Sequence, residues 1–127
     1  MKCKAEPRIF IVEDNLVYQQ LIAKELEALA GEIYFYTKGE NCLEDLHKNP
    51  SIIILDYNLE GEINGLDTLQ EIRKFSDSVL IILFSSQKSI NTRENLNRYG
   101  SFTFLEKRFQ SFGKLRQMIF SNYLSAS

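Results

Sequence analysis

Residues 51–58 read SIIILDYN, in which four branched apolar side chains are followed by the acid Asp56. A run that is apolar at every position is typical of a strand covered on both faces, as in a parallel sheet between two layers of helices. Residues 8–15 read RIFIVEDN and repeat the pattern, ending in Glu13 and Asp14. Burying an ionised, unpaired carboxylate costs several kcal/mol, so these acids require a partner where the strands end.

Short apolar runs alternate along the whole chain with segments of helical spacing. We predict strands at 8–12, 32–36, 52–55, 79–84 and 102–105. We predict helices at 15–30, 40–48, 66–75, 89–99 and 110–124. Five successive strand–helix units indicate an α/β fold with a doubly wound parallel sheet, because right-handed crossovers place helices on both faces. Ligands of such sheets bind beyond the carboxyl ends of the strands.

Apolar side chains recur on one face in the first and last predicted helices. In the first helix they are Tyr18, Leu21, Ile22, Leu26 and Leu29. In the last helix they are Phe112, Leu115, Ile119 and Tyr123. We predict that both stripes pack on the sheet. Met118, Phe120 and Leu124 lie outside the last stripe and indicate a partner or homodimer surface, with ordinary helix packing as the alternative.

The composition is typical of a soluble globular protein, with 44 % hydrophobic and 25 % charged residues in 127. This length predicts one domain over residues 1–127, with its core at 8–124 and no second domain that would carry an output function. The net charge of −2 argues against a nucleic acid or an anionic membrane as partner. Cys3 and Cys42 have no metal-ligand spacing. Without a signal peptide or a long apolar run, we predict a cytoplasmic protein.

Candidate functional side chains follow four predicted strands, at one edge of the sheet. Glu13 and Asp14 follow the first strand, Asp56 the third, Ser85 the fourth and Lys107 the fifth. Two like charges 4 Å apart repel by about 4 kcal/mol at an effective dielectric near 20. The three acids therefore predict shifted pKa values or a bound cation. Mg²⁺ suits them because it takes oxygen ligands and keeps sites for phosphate oxygens.

Together these residues could transfer a phosphoryl group. Beside a cation, Asp56 can attack phosphorus, because the metal offsets the charge on both partners. The Ser85 hydroxyl can donate to one phosphoryl oxygen, and the Lys107 ammonium can neutralise another. Each residue alone also fits an ordinary role as a helix cap, turn residue, loop hydroxyl or solvated lysine. Their coincidence at one edge favours phosphoryl transfer.

The motifs at these positions resemble the receiver domain of two-component response regulators, the CheY-like family. They are IVEDN at 11–15, IILDYNL at 53–59, NGLDTLQEIR at 64–73, IILFSS at 81–86 and FTFLEKRF at 102–109. Ser85 and Lys107 lie 29 and 51 positions after Asp56, spacings that look like the family's. The resemblance covers about residues 8–124 and implies a flavodoxin-like three-layer (βα)5 fold with strand order 2-1-3-4-5.

The resemblance implies that Asp56 is the phosphoacceptor, with a histidine kinase or a phosphotransfer protein as the donor. It implies that Asp14 and Asp56 bind Mg²⁺ together with the backbone carbonyl of Asn58. Glu13 would act largely through a metal-bound water. In such a domain Ser85 and Lys107 assist only the domain's own phosphorylation and slow dephosphorylation, so the chain is not predicted to be an enzyme.

The resemblance also implies a switch. Ser85 and Phe104 match the pair whose hydroxyl and ring move on phosphorylation, and Asn58 and Gln87 match the positions that tune dephosphorylation. Residues 89–99 are rich in Asn, Ser and Thr, which are poor inside helices. We therefore predict that residues 89–124 form the face on which phosphorylation changes the binding of a downstream protein.

Two features depart from the family pattern. Arg108 stands where Pro usually follows the lysine in a commonly cis bond, and a cis non-proline bond costs about 3 kcal/mol. The sequence thus leaves the geometry of the Lys107–Arg108 peptide open. The loop after Asp56 is one residue longer than usual and adds Glu60 and Glu62. Their charge would either attract Mg²⁺ or repel small anionic donors.

Two other functions stay open on the sequence. The first is a receiver-like scaffold that binds partners without phosphorylation, which Arg108 and the altered loop allow. The second is an aspartyl-phosphate phosphatase of the haloacid-dehalogenase type. That class needs a second Asp two positions after the nucleophile and a Thr or Val two further on, where this chain has Asn58 and Glu60. Its cap domain would not fit within 127 residues.

Overall fold

The structure is a computed structural model that describes residues 7–29, 31–59, 61–86, 102–108 and 110–121. Its strands are β1 Arg8–Val12, β2 Glu32–Tyr36, β3 Ile52–Asp56, β4 Leu80–Ser85 and β5 Thr103–Glu106. All neighbouring strands are parallel, and their order across the sheet is β2-β1-β3-β4-β5. The predicted doubly wound sheet with order 2-1-3-4-5 is confirmed.

The described helices are α1 Leu16–Leu26, α2 Gly39–Glu44, α3 Gly65–Phe75 and α4 Ser111–Ile119, with a short 3-10 helix, Leu46–Lys48, after α2. Asn15 caps α1 by accepting a hydrogen bond from the Tyr18 amide, and Asn64 forms a capping box with Asp67 at the start of α3. The predicted helix at 89–99 lies outside the described residues. None of the helices described is both long and apolar enough to cross a bilayer.

The two faces of the sheet carry separate hydrophobic cores. One face packs against α2 and α3 through alternate strand residues: Phe10, Val12, Ile53, Leu55, Ile81 and Leu83. The opposite face packs against α1 and α4 through the residues between them: Ile9, Ile11, Ile52, Ile54, Ile82 and Phe84. This double coverage explains why the central strands are apolar at every position and not at alternate ones.

The helix predictions need three corrections. The sequence predicts Leu21 on the buried stripe of α1, whereas its side chain is 42 % exposed. Leu21 lies one helical turn beyond Val17, which is also exposed, so both belong to the solvent edge of α1. The helix ends at Leu26 and a turn follows, short of the predicted end at residue 30. The predicted helix at 40–48 divides into α2 and the 3-10 helix.

The strand predictions need a correction at their carboxyl ends. The sequence places Asp56 and Ser85 after their strands, whereas each is the last residue of its strand. The ladder pairs Asp56 with Phe84 and Ser85 with Glu106, so the main chain stays regular up to these side chains. Regular backbone there fixes the direction in which both functional groups leave the sheet.

Gly65 allows α3 to begin against the strand that carries Asp56. A Cβ at this position would lie 2.4 Å from the Asp56 carbonyl oxygen and 2.7 Å from the Tyr57 Cα. We expect Gly65→Ala to lower the free energy of unfolding by about 1–3 kcal/mol, because these backbone atoms must move apart. Urea denaturation measures the change. In the control Gly113→Ala, where the Cβ meets open space, we expect a gain of about 0.5–1 kcal/mol within α4. Equal losses in the two variants would contradict the explanation.

Candidate functional site

Three acidic side chains converge at the carboxyl edge of the sheet. Asp56 ends β3, and Glu13 and Asp14 directly follow β1, its neighbour in the sheet. One carboxylate oxygen from each residue lies within 4.8 Å of the other two. Glu13 and Asp56 are buried, and Asp14 is half-buried. The predicted convergence of the three acids is therefore present, because parallel neighbours end at the same edge.

Lys107 follows β5 and reaches into this acidic cluster. Its Nζ lies 2.7 Å from Glu13 Oε1 and 3.5 Å from Asp56 Oδ1. The Lys107 side chain is only 4 % exposed, so the ammonium and two carboxylates form a buried ion network. Its amide donates to the Ser85 carbonyl at 2.5 Å, which ties the residue to the end of β4. Of the two ion pairs that Lys107 forms in this network, the shorter one is with Glu13 and not with Asp56.

The peptide bond between Lys107 and Arg108 is trans. This answers the question that the replacement of Pro leaves open in the sequence. The Arg108 side chain points to solvent and pairs with Glu106, with 3.0 Å between Nε and Oε2. An exposed pair of this kind contributes at most about 1 kcal/mol to stability. Lys107 therefore reaches the acidic cluster without a proline after it.

The environment of Asp56 raises its pKa from the usual 3.8 to about 7. The largest cause is burial, and the neighbouring Glu13 carboxylate raises the pKa further. Lys107 lowers it, as does the hydrogen bond that the Asn58 amide donates to Asp56 Oδ1 at 3.1 Å. The site therefore carries more negative charge than its own lysine offsets, which favours binding of a cation.

The donor set at this edge fits a hard divalent cation. It offers three carboxylates, of which Asp14 is half-exposed, so that water and ligands can approach. In the described part of the chain, the acidic group consists of Glu13, Asp14 and Asp56, and Glu62 is not a member. The loop that carries Glu62 is held elsewhere, because the Glu62 amide donates to Glu40 Oε2 at 3.1 Å. Glu60 lies outside the described residues.

The other predicted site residues lie around this cluster. Ser85 is buried at the end of β4, and Asn58 is exposed in the loop after Asp56. Phe104 is half-buried on β5 and packs against the α2–α3 core. Gln87 lies outside the described residues, so its predicted tuning role has no geometry here. The structure thus brings the acids and Lys107 together. Ser85 lies on β4 and Phe104 on β5, the two strands that follow β3 across the sheet.

Two residues of α1 that the sequence motifs do not identify also contact the site. The Tyr18 ring centroid lies 4.4 Å from Lys107 Nζ, although the sequence assigns Tyr18 only to a packing stripe. The buried Gln19 side chain donates from Nε2 to the Glu13 carbonyl at 2.7 Å. Both residues follow the acidic pair by about one helical turn, and that position is the signal that could have identified them.

The sequence profile described as "Response regulator receiver domain" matches residues 9–120. This chain belongs to the response regulator receiver domain family. Receiver domains are signalling modules of two-component systems, which act with histidine kinases and downstream effector proteins. The family resemblance that the motifs suggest is therefore confirmed.

Known relatives of this receiver domain are longer proteins. The luminescence regulatory protein LuxO of Vibrio campbellii is 33 % identical over 98 residues, which cover 76 % of this chain and 21 % of LuxO. The Regulator of RpoS of Escherichia coli K12 is 27 % identical over 115 residues, which cover 90 % of this chain and 34 % of that protein. The receiver domain thus spans about a fifth to a third of the length of these relatives.

Solved receiver structures share the fold. TrrA of Thermotoga maritima, solved in complex with Mg²⁺–BeF, is 28 % identical with a TM-score of 0.76, over 91 % of this chain and 97 % of TrrA. The Mn²⁺-bound form of the response regulator Rcp1 is 20 % identical with a TM-score of 0.71, over 95 % and 96 % of the two chains. Both similarities extend over at least nine tenths of this chain.

Proposed function

We propose that this receiver domain is a phosphorylation switch in which Asp56 accepts a phosphoryl group in the presence of Mg²⁺. The donor would be the phosphohistidine of a histidine kinase or a phosphotransfer protein in the cytoplasm. One observation carries the proposal: Asp56 lies buried beside two further carboxylates, with the Lys107 ammonium 3.5 Å from its Oδ1. A buried acid that faces an ammonium and a cation-binding group is suited to nucleophilic attack on phosphorus.

In the proposed step, an oxygen of Asp56 forms a bond to phosphorus while the phosphorus–nitrogen bond of the donor histidine breaks. The electron pair of that bond leaves with the imidazole, which takes up a proton. Lys107 would pair with one phosphoryl oxygen, and the Ser85 hydroxyl would donate to another. Asp14, Asp56 and the carbonyl of Asn58 would hold Mg²⁺, which would supply charge neutralisation for the phosphoryl oxygens.

The test is the intact mass of the protein after incubation with Mg²⁺ and a small acyl-phosphate donor. We expect a gain of one phosphoryl group, absent when a chelator removes Mg²⁺. Borohydride reduction of the acyl phosphate, followed by peptide mass analysis, should locate it at Asp56. Mass is the suitable readout because the chain has no Trp for fluorescence. No gain from any donor or kinase would favour the scaffold function, and turnover of an added phosphoester would favour the phosphatase.

Asp14→Asn tests the proposed cation site separately from phosphorylation. We expect the variant to bind Mg²⁺ about 10- to 100-fold more weakly, because a charged ligand contributes about 1.5–3 kcal/mol. Titration calorimetry, or the shift of the melting temperature with Mg²⁺, measures the affinity. In the control Glu62→Gln we expect an unchanged affinity, since Glu62 lies outside the acidic group. A Mg²⁺ affinity in Asp14→Asn equal to the parent's would contradict the assignment.

We propose that the output of the switch passes through residues 89–124, of which β5 and α4 are described. Phe104 on β5 is half-buried, so its ring can change position without opening the central core. On α4, Met118 packs against the sheet, whereas Phe120, just beyond the helix, is 57 % exposed. This exposed ring is the described part of the proposed surface for a downstream protein or a second copy of the chain.

A further inference from the structure

Aromatic rings lie beside the Lys107 ammonium, in addition to the acids. Its Nζ lies 4.4 Å from the centroid of Tyr18 and 5.6 Å from that of Phe84. Tyr18 stacks on Phe112 with 6.1 Å between centroids, and Phe112 meets Phe84 edge-on at 5.4 Å. We call Tyr18, Phe84 and Phe112 the aromatic wall.

Both the aromatic wall and the acids interact with the Lys107 ammonium. Ring faces carry partial negative charge, so they attract the ammonium, and Glu13 and Asp56 form ion pairs with it. A lysine side chain has a long flexible stem with many conformations. It is restricted to one of them only where several contacts hold the ammonium. Here the ring contacts come from Tyr18 on α1 and Phe84 on β4, and Phe112 on α4 packs against both of these rings.

Tyr18 is the ring of the wall that touches Lys107 most closely. Phe84 is completely buried between the sheet and α4, so its size is set by core packing. Tyr18 is half-buried on the first turns of α1. It belongs to neither of the two buried core clusters in the described residues. Of the three rings, that of Tyr18 is therefore the one least fixed by the core, and it is the one nearest the ammonium.

We infer that Tyr18 is a positioning residue, which holds the Lys107 ammonium within reach of Asp56 and is itself held by Phe112. The inference rests on the proposed function, because the held ammonium is the group that would meet the transferred phosphoryl oxygens. Preorganised charge accelerates phosphoryl transfer. Tyr18 is not one of the acidic residues, so its effect on transfer is separable from Mg²⁺ binding.

The test compares Tyr18→Phe, which keeps the ring, with Tyr18→Leu, which removes it. The first readout is the proton NMR chemical shift of the Lys107 ε-methylene group, which needs no phosphorylation. These resonances, assigned by their absence in Lys107→Met, should be shifted upfield by the ring in the parent and in Tyr18→Phe. In Tyr18→Leu they should return downfield. The second readout is the rate of phosphorylation by a small acyl phosphate at saturating Mg²⁺, which we expect to fall about five- to ten-fold only in Tyr18→Leu.

Two controls separate positioning from a general structural effect. Tyr34→Leu removes a similar ring, 4.8 Å from Lys48 Nζ and remote from the acids, and should leave the rate unchanged. In the Lys107→Met background, Tyr18→Leu should slow phosphorylation no further, since no ammonium remains to be held. The Mg²⁺ affinity should stay within about two-fold of the parent's in both Tyr18 variants.

The outcomes distinguish this inference from the proposed function. If the parent accepts no phosphoryl group from any donor, the proposed function fails and the role of Tyr18 falls with it. If the parent is phosphorylated but Tyr18→Leu matches its rate, only the positioning role is overturned. The same conclusion follows if Tyr18→Phe is as slow as Tyr18→Leu, or if the losses from Tyr18→Leu and Lys107→Met add.

Discussion

Asp56→Asn is expected to make the protein more stable than the parent at pH 8 without Mg²⁺, by roughly 1–3 kcal/mol. The reason is the raised pKa of Asp56, which reflects its burial beside Glu13. At pH 8 the parent must keep an ionised carboxylate in this place. The amide has nearly the same shape and carries no charge, and Lys107 retains its closer partner Glu13 at 2.7 Å.

The effect depends on pH in a defined direction. In the unfolded chain Asp56 loses its proton near its usual pKa of 3.8, whereas in the folded protein it keeps the proton up to about 7. Between these values unfolding releases a proton, so the stability of the parent falls as the pH rises from about 4 to about 7. Asp56→Asn should lack this fall, and the two proteins should converge below about pH 4.

Urea denaturation across the pH range measures the difference, with Asp77→Asn as the control. Asp77 is exposed, so its replacement should change stability by less than about 0.5 kcal/mol. Asp56→Asn should also gain no phosphoryl group from any donor. A variant that is less stable than the parent at pH 8, or one that is still phosphorylated, would contradict the role assigned to Asp56.

Lys107→Met is expected to lower the free energy of unfolding at pH 8 by about 3–5 kcal/mol, the usual effect of removing one partner from a buried ion pair. The side chains of Lys107 and Glu13 are 4 % and 2 % exposed, so little water can replace the ammonium. The loss should shrink at pH 5, because Asp56, whose pKa is raised to about 7, is then protonated and carries no uncompensated charge. Phosphorylation should slow by about 100-fold or more, since the ammonium is lost from the transferred group.

Mg²⁺ should stabilise Lys107→Met more than it stabilises the parent, because the cation then compensates charge that the lysine no longer offsets. Melting temperatures with and without Mg²⁺ measure this difference. The control Lys74→Met removes a lysine whose side chain is 67 % exposed and paired with Glu71. It should change stability by less than about 1 kcal/mol. A loss in Lys107→Met no larger than in this control would show that the ion network contributes little.

The position of the acidic site follows from the sequence because its cause is local. Strands that are apolar at every residue must be covered on both faces, and their parallel ends then meet at one edge. Glu13 and Asp14 follow β1, and Asp56 ends β3, so the three acids must converge at this edge.

The exact ends of strands and the exposure of individual helix positions do not follow from the sequence, because they depend on the adjacent strands and helices. The ladder with β4 extends β3 through Asp56, which no pattern within residues 51–58 specifies. Leu21 has the spacing of a core residue, yet the surface of the sheet and of α4 leaves it exposed. Helical periodicity predicts a face but not how wide a face the neighbouring elements cover.

The sequence by itself determined the fold, the edge of the sheet where the site lies and the identity of the converging acids, since strand patterns act over a few residues. Only the tertiary structure decided that Lys107 pairs more closely with Glu13, 94 residues away, than with Asp56. It also decided that Tyr18 and Phe84 lie beside the ammonium and that Phe112 contacts both of their rings. Such contacts join side chains from separate elements, and their distances are set by packing that no local pattern contains.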